Sequence, residues 1–111
     1  MSVMTKEDMN STFDNELDAL LKKHIDSLKS QPVAQLRALP DMSDNEVKVQ
    51  GKNISVMTWR ENLPNKAVFI IGHISWQTSF WGHSKANGFV IESEGQIRDA
   101  TSQEWNEYGG L

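Results

Sequence analysis

The chain has 111 residues, 38% hydrophobic and 23% charged, with a formal net charge of −4 and no cysteine. That size suits one domain with a core of its own. The acidic balance disfavours nucleic acid and anionic membrane surfaces, and without cysteine there are neither disulfides nor thiolate metal sites.

Residues 1–10 mix polar and charged side chains with no apolar stretch of signal-peptide length, and read as a flexible leader. The longest apolar run, 67–72, is too short to span a bilayer. A soluble, cytoplasmic protein is therefore expected, with residues 11–111 forming one α+β domain. Ser11 or Thr12 can cap a helix whose first turn holds Asp14 and Glu16. Phe13, Leu17, Leu20, Leu21, His24, Ile25 and Leu28 then recur at steps of three and four, giving one apolar stripe. Ser30 followed by Gln31 and Pro32 predicts a break, after which Val33, Leu36 and Leu39 continue a short second helix that Pro40 ends.

From Glu46 to Arg98 the pattern changes to hairpin-linked strands. Gly51-Lys52 suits a two-residue turn that pairs Val49 with Ile54 and Val47 with Val56. Residues 61–66, with Asn62, Pro64 and Asn65, form the next turn. Residues 67–76 are apolar on both faces, as in a central strand, and Phe80 to Ser93 returns beside them. Ser93-Glu94-Gly95 fits a three-residue loop pairing Ile91 with Ile97. Thr101 and Glu104 have capping-box spacing for a short last helix, with Gly109-Gly110 at its end.

With registers assumed at 61–66 and 76–80, one face collects Val47, Val49, Ile54, Val56, Phe69, Ile71, Phe89, Ile91 and Ile97 beneath the helical stripe. Burying each contributes about 1.5–3 kcal/mol before entropy, enough to organise the fold. The opposite face then carries Met57, Trp59, Val68, Ile70, Ile74 and Trp76 beside Gly82, Ser84, Ala86 and Gly88. The expected architecture is an N-terminal helix, broken near Ser30, on a mostly antiparallel meander of four or five strands, with a short C-terminal helix. In element order this resembles the cystatin-like and nuclear-transport-factor-like helix-on-curved-sheet arrangements, a likeness of architecture that no motif carries.

No catalytic motif, metal cluster or phosphate loop stands out, and no cofactor is implied. Candidate binding residues are Trp59, Trp76, Trp81, His73, His83, Lys85 and Asn87. An odd-length loop would set His73 opposite His83, where two imidazoles could begin a metal or acid–base site, although paired sheet histidines are more often structural. Residues 76–83, dense in aromatic and hydroxyl side chains, read as a recognition loop or as a bend tucked under the helix. Lys85, Asn87 and Gly88 interrupt the apolar alternation, which implies a bulge or a polar cavity bordered by His73 and His83. A non-enzymatic protein-interaction module, self-associating as a homodimer, is the first functional expectation. A small-ligand binder with a cavity between helix and sheet comes second, and a metal-dependent or acid–base enzyme using His73 and His83 third.

Overall fold

The computed structural model describes residues 6–78 and 80–109, with side chains from residue 12 onward. Helix α1 runs Lys6–Lys29, α2 Val33–Arg37, and five strands follow: β1 Met42–Val49, β2 Lys52–Asn62, β3 Val68–Gln77, β4 Gly82–Ile91 and β5 Ile97–Arg98. Helix α3, Ser102–Tyr108, closes the chain. The strands form one sheet in the order β1-β2-β3-β4-β5, each antiparallel to its neighbours. The fold is α+β, an N-terminal helix packed on an antiparallel meander.

Helix α1 spans Lys6–Lys29, so Ser11 and Thr12 lie within it rather than at its start. Five residues of the expected leader are thus helical, and residues 1–5 lie outside the described residues. The break falls where expected, but Pro32 is the cap residue of α2, and the Ser30 hydroxyl donates to Ser27 O at 2.6 Å. Leu17, Leu21, Ile25 and Leu28 are buried against the sheet, as their spacing requires.

The first hairpin turns on Gln50 and Gly51, both at positive φ, rather than on Gly51-Lys52. Val47 therefore pairs with Ile54 and Val49 with Lys52. That register lies two residues from the expected one, so Val47, Val49, Ile54 and Val56 keep their common face. The second turn is a different matter. Pro64–Lys66 forms a three-residue turn, closed by a Leu63 N–H to Ala67 O bond of 2.9 Å, with Asn65 and Lys66 at positive φ. This odd length inverts β3: Val68, Ile70 and Ile74 lie under α1 with Trp76 against them, while Phe69 and Ile71 face away. The expected assignment of these faces is overturned, because strand side chains alternate with a period of two. Gln77 then pairs with Gly82 across a four-residue loop, and this even length inverts the faces again. Phe89 and Ile91 thereby return to the helix side as expected.

The Ser93-Glu94-Gly95 loop is as read from sequence: Glu92 N–H donates to Gln96 O at 2.8 Å, Gly95 has a φ of 95°, and Ile91 pairs with Ile97. Ile97 itself is exposed rather than part of the core. Strand β4 keeps unbroken register from Gly82 to Ile91, so no bulge exists at Lys85–Gly88.

On the reverse of the sheet, α3 packs the edge of Trp105 on Phe69, ring centroids 4.9 Å apart, and helps bury Ile71 and Val90. Its capping box is present: Thr101 Oγ1 accepts from Glu104 N–H at 3.1 Å while Glu104 Oε1 accepts from Thr101 N–H at 2.9 Å. Arg98 locks the helix in place with two near-parallel bonds to the Glu104 carboxylate, 2.7 and 2.8 Å, and a further contact to Glu92. Bidentate pairing of this kind is the stronger form of ion pair.

Candidate functional site

Three regions of the molecule could meet a ligand or partner, and the sheet registers decide what each contains. The first is the β3–β4 hairpin tip. Trp76 and His83 are cross-strand partners and stack 5.5 Å apart. Phe13 of α1 meets Trp76 edge-on at 6.1 Å, with Lys52 Nζ 4.9 Å from the Phe13 ring. Trp76 and His83 are thus tied to the helix, and Trp76 belongs to the helix side rather than to the reverse face expected from sequence. The loop beyond them is closed by Thr78 N–H donating to Trp81 O at 2.9 Å. At its apex Phe80 is 89% and Trp81 72% exposed. Within segment 76–83, Trp76 at the base packs against the helix, whereas Phe80 and Trp81 at the apex stand in solvent. The bend expected to tuck its tryptophans under the helix does so with Trp76 alone.

The second region is the sheet's outer edges. Backbone directions alternate along a strand, so hydrogen-bonding groups on one side belong to every second residue. Glu92 N–H bonds toward the β5 side, which places the N–H and C=O groups of Gly82, Ser84, Ala86 and Gly88 on that same outer side. Yet β5 pairs only with Val90 and Ile91. Among the described residues, β4 has a strand on one side alone from Gly82 to Phe89. Asn87 Oδ1 accepts from Gly88 N–H at 2.8 Å, which ends the open stretch. The opposite edge, β1, carries Asp44, Glu46 and Lys48, charges of the kind that discourage added strands. Among the described residues of β4, no charge points outward with Gly82, Ser84 and Ala86. Lys85, the one charged residue on β4, is turned to α1 and bonded to Asp14 at 2.7 Å and Asp18 at 2.6 Å. Both bonds raise its pKa, the Asp14 contact most.

The third region is a groove of about 410 Å³ between α1 and the β1–β2 hairpin, which exists because α1 lies mainly over β3 and β4. Leu20, Val47 and Val56 form its apolar lining, and His24 Nε2 lies 2.8 Å from Thr58 Oγ1. Burial lowers the His24 pKa, which favours the neutral ring.

His73 and His83 do not meet. Their strands pair His73 with Ala86 and His83 with Trp76, because the connecting loop has an even number of residues. His73 projects from the reverse face and stacks on Trp59 at 5.0 Å, whereas His83 lies on the helix side. Only 7% of His73 is exposed, and burial depresses its pKa. Trp59 Nε1 and His73 Nδ1 are the two buried side-chain nitrogens without a hydrogen-bond partner among the described residues. Among those residues, no three His, Asp or Glu side chains converge as metal ligands would. The cavity expected around Lys85, Asn87, His73 and His83 is absent too: Lys85 and Asn87 border a shallow cleft with Asp18, Leu21, Lys22 and Ala86, and neither histidine reaches it.

Of the candidate residues, Trp76, Trp81 and His83 thus gather at the tip, Lys85 and Asn87 lie along the β4 edge, and Trp59 and His73 form a separate stack. Sequence reasoning did not single out Phe80, nor the open backbone at Gly82, Ser84 and Ala86. The alternation of small residues on β4 was legible, but its meaning depends on β5 being only two residues long. No helix among the described residues is long and apolar enough to cross a membrane. No family model matches the chain, and no curated protein or solved structure is significantly similar to it.

Proposed function

We propose that this chain is a protein-interaction module that self-associates, acting by contact rather than by catalysis. The observation that carries this reading is the side-by-side exposure of Phe80 and Trp81 on a hairpin whose base is fixed to the helix. Aromatics anchor interfaces because each covers a large area at little entropic cost, and two at one rigid apex form a natural hot spot. His73 and His83 project from opposite faces of the sheet, so this pair does not form the shared two-histidine site read from the sequence. The cysteine-free composition suits work in a reducing cytoplasm.

Sedimentation across a wide concentration range tests the reading. A reversible shift from monomer to dimer, weakened at least tenfold in the Phe80→Ser, Trp81→Ser double variant, is the expected result. A chain that stays monomeric at the highest concentration removes the self-association. A second reading, a small-ligand binder, is favoured by the groove at Leu20, Val47 and Val56, where apolar lining adjoins the His24–Thr58 pair. Ligand-induced shifts of the His24 ring resonances in a screen of small apolar compounds would support it, and an unresponsive ring would end it.

A further inference from the structure

We infer that two copies of this chain join edge to edge through β4, antiparallel, about a two-fold axis at Ser84. The inference rests on the self-association proposed above and specifies its surface and register. Outward N–H and C=O groups are open at Gly82, Ser84 and Ala86, bounded on one side by the hairpin loop and on the other by the Asn87–Gly88 cap. This set is symmetric about Ser84. A second copy in antiparallel orientation presents the same groups in reverse order, so Gly82 meets Ala86, Ser84 meets Ser84, and Ala86 meets Gly82. Each such pair exchanges two bonds, about six in all.

On the reverse face of the sheet, no side chain among the described residues opposes the pairing. There a glycine, a serine and an alanine come together. On the helix side, the register sets His83 of each copy beside Lys85 of the other, whose charge Asp14 and Asp18 more than balance. Two β1 edges centred on Glu46 would instead set that carboxylate against its own copy, with Asp44 meeting Lys48. The register also fixes the hairpin apices. Trp81 of each copy falls beside Asn87 of the other, and Phe80 beside Gly88, so both aromatics leave water along the partner strand. Four such side chains carry on the order of 600–1,000 Å² of surface, and the surface they cover adds a comparable area, against roughly 1,200–2,000 Å² in a standard interface. A two-fold contact closes on itself, so the assembly stops at two.

The absence of native cysteine makes the test direct. In Ser84→Cys the two thiol-bearing residues would have Cα atoms about 5.5 Å apart in the dimer. In Ser75→Cys, one strand inward on the same row, they would be about 14 Å apart, three strand spacings. With a short bifunctional thiol reagent, the Ser84→Cys chain is expected to crosslink on the order of tenfold faster or more, because the dimer holds its thiols at high effective concentration. Equal rates, or faster crosslinking at position 75, overturn the edge contact. Ser84→Pro is the second probe. Its lost N–H points away from β3, so the monomer should keep its fold by circular dichroism while dimerisation weakens at least tenfold. A Ser84→Pro chain that dimerises as tightly as the parent refutes the inference. Dimers that persist without crosslinking at position 84 refute the β4 contact alone, whereas an unmodified chain that never dimerises refutes the self-association as well.

Discussion

Replacing Gly88 by alanine should destabilise the fold far more than the same change at Gly82, although both lie on β4. A Cβ at Gly88 would sit 2.4 Å from the Ile70 carbonyl oxygen, 3.1 Å from Phe69 Cε1 and 3.2 Å from Ile71 Cα. Two of these atoms are backbone of β3, the central strand, so relief requires moving the seam between β3 and β4. Overpacking of this kind costs about 1–3 kcal/mol, partly offset by about 0.4–1 kcal/mol from the lower chain entropy of unfolded alanine. At Gly72 the nearest atom is Ile25 Cδ1 at 2.7 Å, the end of a flexible side chain, so the cost should be smaller. At Gly82 a Cβ meets nothing within 4 Å, and Gly82→Ala should be neutral or stabilising by a few tenths of a kcal/mol. Urea unfolding followed by tryptophan fluorescence, at concentrations too low for association, measures the series at a common slope. A destabilisation of 1 kcal/mol lowers Tm by about 4 °C in a domain of this size. Were Gly88→Ala as stable as the parent, or Gly82→Ala the costliest of the three, the registers of β3 and β4 described above would be wrong.

Thr58→Val removes the partner of His24 Nε2 at the helix–sheet boundary and should cost about 1–2 kcal/mol, read from the same urea curves. Stability should also fall on mild acidification. The folded pKa values of His24 and His73 lie below the ordinary 6.5, so their contribution is complete above that value and is lost as pH drops through their depressed folded values. His73→Phe, which keeps a flat ring against Trp59 and removes the unpartnered Nδ1, should shrink this acid loss in thermal melts at a series of pH values. Glu104 acts lower: Arg98 holds its pKa at about 2 against an ordinary 4.5, so its contribution is present above 4.5 and fades as pH falls toward 2. Arg98→Ala should erase that low-pH step and raise hydrogen exchange through Ser102–Tyr108, with little change in β3.

Local chemistry was readable directly from the chain. The three-and-four spacing of Leu17, Leu21, Ile25 and Leu28 fixed the buried stripe of α1, and Thr101 with Glu104 fixed the start of α3, because a helix face and a cap each depend on residues within a turn or two. The Ser93–Gly95 loop was equally plain, since only glycine readily takes the φ its third position needs. The α1 start was missed because Ser11 and Thr12 cap well in isolation, yet the helix continues through them to Lys6.

Tertiary structure decided the faces. Val68–Ile74 is apolar on both sides, so its own sequence has no preference, and the three residues of the Pro64–Lys66 turn set which side meets α1. One residue more or less in a connection exchanges the two faces of a strand. The same parity, acting through the four-residue loop after Gln77, parted His73 from His83. The open edge was hidden for a related reason: Gly82, Ser84 and Ala86 become an available surface only because the strand folded beside β4 is two residues long, and strand length is set by long-range pairing rather than by the residues of β4.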